Sequence, residues 1–246
     1  MAFRPGRIIG DIVETTALVL VAVVAFRALA FANYHIPSES MAPSLQVGDR
    51  IMVSKYAYGY SRFSIPFGFG GHLPATSERL FGHLPEHGDV VVFKHPHSGM
   101  DYIKRVVGLP GDRVQIVRGR VHLNGGIVKR EKMREYRFRG QDGKVFRAVE
   151  YRESFGEGES HTILEQTDRG AQDNTREFRV PEGHLFVMGD NRDNSSDSRE
   201  SGGHGVGFVP LENVVGRAEF VAFTLDGCTP EPGLECRDPK VLSAIH

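Results

Sequence analysis

Apolar residues occur in one long run near the N-terminus and in many short runs further along the chain. The long run is uncharged from Thr15 to Phe26 and predicts a helix. The short runs alternate with Gly, Pro, Asn and Asp, a pattern typical of β-strands joined by turns. Because no long amphipathic segment follows the first run, the sequence predicts a mainly β, antiparallel domain after one helix. The predicted strands lie within residues 50–58, 89–96, 102–109, 112–119, 120–126, 177–190 and 214–223.

The length of the N-terminal run makes it a candidate membrane anchor. Its twelve uncharged residues form about 18 Å of helix, whereas a bilayer span needs roughly 20 residues. A helix from Ile8 to Ala32 reaches that length but includes Asp11, Glu14 and Arg27. These charges lie toward the ends of the span, where long side chains reach the headgroups at reduced cost.

Two other interpretations of this run stay open. A cleavable signal peptide would have a similar apolar segment, and the Ala-Leu-Ala at 28–30 is typical of a cleavage site. A buried core helix is the third possibility. We favour the anchor, with Arg4 and Arg7 holding the N-terminus in the cytoplasm and the rest of the chain on the far side of the membrane.

Composition changes along the chain predict its division into parts. The segment 118–182 is dense in interspersed charges of both signs and predicts a solvated, inserted β subdomain. We therefore expect a tip and anchor at 1–33 and an extracytoplasmic domain at 34–246. The core of that domain would comprise residues 34–117 and 183–246.

Overall charge and cysteine content exclude some functions and leave others open. The 246 residues carry a net charge of −1, so no basic face indicates a nucleic-acid partner. The two cysteines, Cys228 and Cys236, flank a segment rich in proline. They would form a small disulfide in an oxidising compartment, or else remain free thiols.

A serine-rich segment follows directly after the apolar run. Ser40 lies within "PSESMAPSLQVGD", and a serine hydroxyl attacks a carbonyl only when a base removes its proton. No G-x-S-x-G elbow and no H-E-x-x-H metal motif occurs in the sequence. His35 is a weak candidate base. Taken alone, the segment also fits a turn or a helix cap.

Lys104 interrupts an apolar strand, "DYIKRVVGLPGD", and is a second candidate base. Side chains alternate along a strand, so Tyr102, Lys104 and Val106 share one face. An ordinary lysine has a pKa near 10.4, and its use as a base at pH 7 costs about 4.6 kcal/mol. Burial among apolar neighbours lowers that pKa and that cost. An exposed strand lysine is the alternative.

A polar loop, "MGDNRDNSSDSRESGGHG", follows the apolar residues 184–188. It does not fit a calcium loop of the EF-hand type, because Arg192 and Ser198 occupy positions that need a ligand and a glycine. It is either a disordered loop or a set of side chains that orient active groups placed elsewhere.

Together these segments resemble the bacterial type I signal peptidases, also called leader peptidases. An anchor, "PSESMAPSLQVGD", "GDVVVF", "YIKRVVGLPGD" and "GDNRDNSSDSR" follow one another in the order found in that family. The resemblance covers about a quarter of the chain directly, and the spacing of the motifs extends it. This chain has one anchor segment where some members have two, and its cysteine pair lies near the C-terminus.

The resemblance implies a serine–lysine endopeptidase that needs no metal or other cofactor. It assigns Ser40 as the nucleophile and Lys104 as the general base. It also assigns supporting residues: Ser38 for the oxyanion hole together with the backbone N–H of Ser40, Ser195 for orienting the lysine, and the ion pair of Asp197 and Arg199. The cleft for small substrate side chains maps onto Ile36, Met41, Leu45, Tyr102 and Ile103.

The function that the resemblance implies is removal of signal peptides from exported precursors after Ala-x-Ala, at the cytoplasmic (inner) membrane. Exported precursors and membrane lipid would be its partners, with the export machinery a further candidate. One alternative is another serine–lysine peptidase, such as a pilus-processing relative; a self-cleaving LexA-like regulator is disfavoured, because the N-terminus is apolar and no helix-turn-helix precedes Ser40. The other is a tethered β domain that binds proteins without cutting them.

Overall fold

The structure is a computed structural model that describes residues 5–65, 79–156, 160–200, 205–225, 231–236 and 238–245, with the backbone alone at 5–10 and 27. Within these ranges it contains one α-helix, fifteen β-strands and two short 3-10 helices at Glu39–Met41 and Leu211–Asn213. The fold is mainly β, as predicted. Each predicted strand segment contains at least one strand. Arg4 and residues 201–204 of the polar loop lie outside the described residues.

Helix α1 (Pro5–Ala30) holds the N-terminal apolar run. Its stretch Asp11–Ala30 is the one helix of the described chain that is long and apolar enough to cross a membrane. The side chains from Asp11 to Phe26 are exposed, so α1 does not pack in the protein core. The helix ends at Ala30 rather than at Ala32, because the next residues pair with β2 as strand β1.

The main sheet has eight strands and carries the centre of the molecule. Its order is β1-β2-β14-β3-β4-β12-β13, with β15 also paired to β14, and all these pairings are antiparallel. The strands are β1 (Phe31–His35), β2 (Asp49–Ser54), β3 (Val90–Lys94), β4 (Asp101–Gly108), β12 (His184–Met188), β13 (Val209–Pro210), β14 (Val214–Thr224) and β15 (Val241–Ala244).

Two smaller antiparallel sheets contain the segment between β4 and β12. One has the order β11-β5-β6-β7 and comprises β5 (Arg113–Val117), β6 (Arg120–Leu123), β7 (Gly126–Ile127) and β11 (Phe178–Arg179). The other has the order β10-β9-β8 and comprises β8 (Lys129–Arg139), β9 (Val145–Ser154) and β10 (Ser160–Glu165). The boundary expected at residue 118 stays a prediction, since β5 and β6 pair across it.

The charged segment is only partly the solvated face that the sequence predicted. Strand β8 is mostly exposed. However, Glu153, His161 and Glu165 are each at most 4% exposed. Leu164 of β10 exchanges backbone hydrogen bonds with Asp190 and Arg192. These ionisable side chains are buried because the three-stranded sheet docks against the loop that follows β12, a contact that a pattern of interspersed charge cannot reveal.

The disulfide question concerns residues that the structure describes only in part. Cys236 is disulfide-bonded, whereas Cys228 lies outside the described residues. The neighbouring residues Glu231 and Glu235 pair with Arg139 and Arg134 of β8. The C-terminal segment thus lies along the edge of the three-stranded sheet.

Candidate active site

Ser40 lies in the 3-10 turn Glu39–Met41, which begins four residues after the end of β1. The turn is closed by the backbone N–H of Ala42, which donates to Glu39 at 3.0 Å. Met41 is fully buried and fixes the turn to the core, while the Ser40 side chain stays partly exposed. The backbone carbonyl of Ser40 accepts a hydrogen bond from Asn191 N–H at 3.1 Å. The hydroxyl is therefore held on a short, anchored turn.

Lys104 projects from the middle of β4 toward that turn. Its Nζ lies 2.7 Å from Ser40 Oγ and 2.9 Å from the carbonyl oxygen of Ile103. The Tyr102 ring centroid is 5.7 Å from Nζ, as alternation along the strand predicts. Only 3% of Lys104 is exposed, so bulk water has little access to its amine. The fold thus brings into hydrogen-bond contact the two groups that the family resemblance pairs.

Burial sets the protonation of this amine. Desolvation lowers the pKa of Lys104 from 10.5 to about 8, and Arg199 contributes in the same direction. Asp197 and Asp190 oppose this change because they favour the ammonium form. At pH 7 about a tenth of the molecules therefore carry a neutral amine, against about 0.03% for an ordinary lysine. In the neutral form the same 2.7 Å contact lets Ser40 donate its proton to Nζ.

Ser38 is exposed, and its Oγ lies 3.4 Å from Ser40 Oγ. A hydroxyl at this distance from the nucleophile can reach a carbonyl oxygen that is under attack by Ser40. The assignment of Ser38 to an oxyanion hole stays a prediction.

Ser195 is buried near the site, and its hydroxyl interacts with the Asp197 carboxylate rather than with Lys104. The two hydrogen bonds of Lys104 go to Ser40 and Ile103 instead. Direct orientation of the lysine by Ser195 therefore stays a prediction. Gly189 separates Ser195 from the Ser40 turn, and a Cβ at this glycine would lie 2.5 Å from both Ser195 Cβ and Ser40 O. No larger residue fits there.

Asp197 and Arg199 form the ion pair that the resemblance implies. Arg199 donates from Nε to Oδ1 at 2.9 Å and from Nη2 to Oδ2 at 2.8 Å, and both side chains are at most 1% exposed. Burial alone would raise the pKa of Asp197, but Arg199, Gly189 N–H and Ser195 outweigh it and keep that pKa low. The pair is thus a fixed, ionised group beside Lys104.

Two further buried ion pairs were not predicted. Arg105 donates to both carboxylate oxygens of Asp190, at 2.8 and 2.7 Å. Arg192 pairs with Glu153 of the three-stranded sheet. The alternation along β4 does place Arg105 on the face opposite Lys104, but its partner lies 85 residues away. The dense acidic and basic residues of the polar loop were the only sequence signal for these pairs.

The five residues expected to form a substrate cleft fall into two environments. Ile36, Met41 and Leu45 are at most 2% exposed and belong to one core cluster, with Ile103 packed against it. Tyr102 packs against the other side of the sheet, with its ring centroid 4.7 Å from that of His95. The three buried residues line no open surface here, so their contact with substrate stays a prediction.

The residues that the structure describes include no group of three or more His, Cys, Asp or Glu side chains that could hold a metal ion. The chemistry that the arrangement supports is carried by a hydroxyl and a desolvated amine in contact, beside a fixed ion pair. A nucleophilic serine with a lysine base needs that pairing.

Comparisons of the chain with known proteins agree on one protein family. A family model described as signal peptidase, peptidase S26, matches residues 9–223. Signal peptidase I of Rickettsia typhi (strain ATCC VR-144 / Wilmington) is 35% identical over 216 residues, covering 85% of this chain and 78% of the relative. Signal peptidase I of Rickettsia bellii (strain OSU 85-389) is 34% identical over 220 residues, covering 86% and 73%.

A solved structure of a signal peptidase I from Enterococcus faecalis V583 shares 25% identity with the chain. It covers 55% of this chain and 97% of its own, with a TM-score of 0.32. The family model spans most of the sequence, and the Rickettsia relatives match it over more than four fifths of its length. The chain therefore belongs to the signal peptidase family, peptidase S26, and is a serine peptidase.

Proposed function

We propose that this chain is a membrane-anchored signal peptidase that removes signal peptides from exported precursor proteins, cutting after small residues in Ala-x-Ala. Family membership supports the cleavage of signal peptides. The observation that carries the mechanism is the 2.7 Å contact between Lys104 Nζ and Ser40 Oγ in a setting that excludes water. Because the chain belongs to a peptidase family, the alternative of a protein-binding β domain without enzymatic activity is excluded.

The mechanism follows from the protonation of the two groups. Neutral Lys104 accepts the Ser40 proton as Oγ attacks the peptide carbonyl, and the resulting ammonium then protonates the departing amine. Ser38 Oγ and the Ser40 backbone N–H would stabilise the oxyanion, each contributing about 2.7–4 kcal/mol. The amine then takes a proton from water, which attacks the acyl-enzyme and releases Ser40.

The location of the site fits this substrate. Ser40 lies ten residues beyond the last residue of α1, on the turn that follows β1. If α1 anchors the chain in the cytoplasmic membrane with Arg4 and Arg7 in the cytoplasm, the site lies near the extracytoplasmic surface of that membrane. A signal peptide that spans the bilayer would present its cleavage site there. Membrane lipid and the export machinery are the partners that this location implies.

The test is cleavage of a precursor with an Ala-x-Ala site by the full chain in detergent micelles. Ser40→Ala and Lys104→Met should each abolish cleavage while the circular dichroism spectrum is unchanged. Lys129→Met is the matched control, because Lys129 is exposed and pairs only with Glu131 at the surface. Full activity in Ser40→Ala or Lys104→Met would refute the mechanism. Cleavage of a pilin-type precursor in preference to the Ala-x-Ala precursor would favour the pilus-processing alternative.

A further inference from the structure

Glu39, which lies between the two serines of the active turn, is held from two directions. Its Oε1 accepts the backbone N–H of Gln141 at 2.7 Å, and its Oε2 accepts Asn194 Nδ2 at 3.3 Å. Its backbone carbonyl accepts Asn191 Nδ2 at 3.2 Å. One residue thus joins the nucleophile turn to the β8–β9 hairpin and to the polar loop after β12.

The β8–β9 hairpin makes a second contact with the same turn. Gln141 Nε2 donates to the carbonyl oxygen of Pro37 at 2.9 Å. The hairpin loop that presents Gln141 is closed by hydrogen bonds from Gly140 to Lys144 and from Gly143 to Gly140. A defined loop of the inserted sheet therefore contacts the nucleophile turn both before and after Ser38.

These contacts matter because little else restrains the N-terminal part of the turn. Pro37 and Ser38 are exposed, whereas Met41 on the other side of Ser40 is buried in the core. The 3-10 turn has no side-chain cap at Ser38. Since a displacement of about 1 Å in a reacting group can cost a hundredfold in rate, the turn needs restraint from outside. Partial burial and Asp142 raise the pKa of Glu39, against the opposing effect of the Gln141 N–H, so the carboxylate is not merely solvated.

We propose that Glu39 is a positioning residue that uses its carboxylate oxygens as hydrogen-bond acceptors to fix the Ser38–Ser40 turn against the β8–β9 hairpin. This role rests on the proposed serine–lysine mechanism, because it concerns the orientation of the nucleophile. Glu39 does not exchange a proton with the substrate. Its effect is on the rate of the chemical step rather than on substrate binding.

The experiment measures kcat and KM for cleavage of an Ala-x-Ala precursor by the full chain in detergent micelles. Glu39→Ala should lower kcat about tenfold with KM within about twofold, the pattern expected when only the chemical step is affected. Glu39→Gln should keep at least half of the wild-type kcat, because its amide oxygen still accepts the Gln141 N–H. Gln141→Ala removes the Pro37 contact alone and should lower kcat about threefold. Lys132→Ala is the matched control on the same hairpin and should change neither parameter, because Lys132 is exposed on β8 and pairs with Glu135 at the surface.

Several results would overturn the proposal. These are an unchanged kcat in Glu39→Ala, an equal loss in Glu39→Gln and Glu39→Ala, or a loss confined to KM. Ser40→Ala is measured in parallel to separate failure of the Glu39 proposal from failure of the serine–lysine mechanism. An active Ser40→Ala would refute the mechanism itself. If Glu39→Ala does not fold, as judged by thermal unfolding, Glu39→Gln and Gln141→Ala decide the question. Unchanged kcat in Gln141→Ala would then count against the proposal.

Discussion

Replacing the buried lysine of the active site should stabilise the protein while it abolishes activity. The pKa of Lys104 falls from 10.5 to about 8 on folding, chiefly through burial. Each pKa unit corresponds to about 1.36 kcal/mol, so the charged lysine costs the folded state on the order of 3 kcal/mol at neutral pH. Methionine has a similar length and no charge to desolvate. Loss of the hydrogen bonds to Ser40 and Ile103 destabilises the variant by about 1 kcal/mol. The free energy of unfolding of Lys104→Met should therefore exceed that of the wild type by a net amount on the order of 2 kcal/mol.

The sign of this effect depends on pH. The folded-state pKa lies below the unfolded value, so wild-type stability is lowest relative to the variant below pH 8. It recovers as the pH rises from about 8 toward 10.5, where the unfolded chain also loses its proton. The stability advantage of Lys104→Met should therefore be full at pH 7 and should disappear above pH 10.5.

The assay is thermal unfolding of the full chain in detergent micelles, followed by circular dichroism at pH 7 and at pH 10. A higher Tm for Lys104→Met at pH 7 than for wild type, with a smaller difference at pH 10, is the expected result. Lys129→Met controls for loss of a surface charge, since Lys129 is largely exposed. A lower Tm for Lys104→Met at pH 7 would refute the argument that an unfavourably buried ammonium is kept for catalysis.

Three further predictions test the surroundings of the site. The pH profile of kcat/KM should have an acidic limb with a midpoint at about 8, because Lys104 must lose its proton to act. Below pH 7, activity should fall about tenfold per pH unit. A midpoint below 6 would exclude the lysine as the titrating base. Gly189→Ala should lower kcat at least tenfold and destabilise the fold by about 1–3 kcal/mol, since the Cβ of the alanine would overlap Ser195 and the Ser40 carbonyl. Activity and melting assays measure both effects. Gly126→Ala is the control, because a Cβ there meets no atom closer than 3.5 Å. Arg105→Met should lower the free energy of unfolding by about 3–5 kcal/mol in denaturant titrations, because it leaves the Asp190 carboxylate buried without its partner; a change below 1 kcal/mol would contradict this.

The strands, and the face of β4 on which Lys104 lies, could be predicted because their signals are local, whereas the roles of Ser40 and Lys104 were implied by the family resemblance. Alternation along β4 places Lys104 and Tyr102 on one face, and the 5.7 Å contact of Nζ with the Tyr102 ring follows from it. The position of Ser40 after the apolar run likewise needs no knowledge of the fold. The contact between Ser40 and Lys104, 64 residues apart, was supplied by the family resemblance.

The partners of the buried charges could not be predicted in the same way. Glu153 and Arg192 are 39 residues apart, and Glu39 and Gln141 are 102 residues apart. Their pairing depends on how the three-stranded sheet docks against the loop after β12 and against the nucleophile turn. A sequence shows that such a segment is charged. It does not show which of its charges the docking surface will cover.

The buried ion pairs also explain how a lysine can lose its charge beside two carboxylates. Asp197 and Asp190 both favour the ammonium form of Lys104 and would raise its pKa if they were free. Each is bound through both oxygens to an arginine, Arg199 or Arg105, and Arg199 itself lowers the pKa of Lys104. Burial then dominates, and the pKa of Lys104 ends below its ordinary value instead of above it. Under the proposed mechanism, Arg199 would therefore favour the neutral amine without touching substrate, because it opposes the two carboxylates that favour the ammonium form of Lys104.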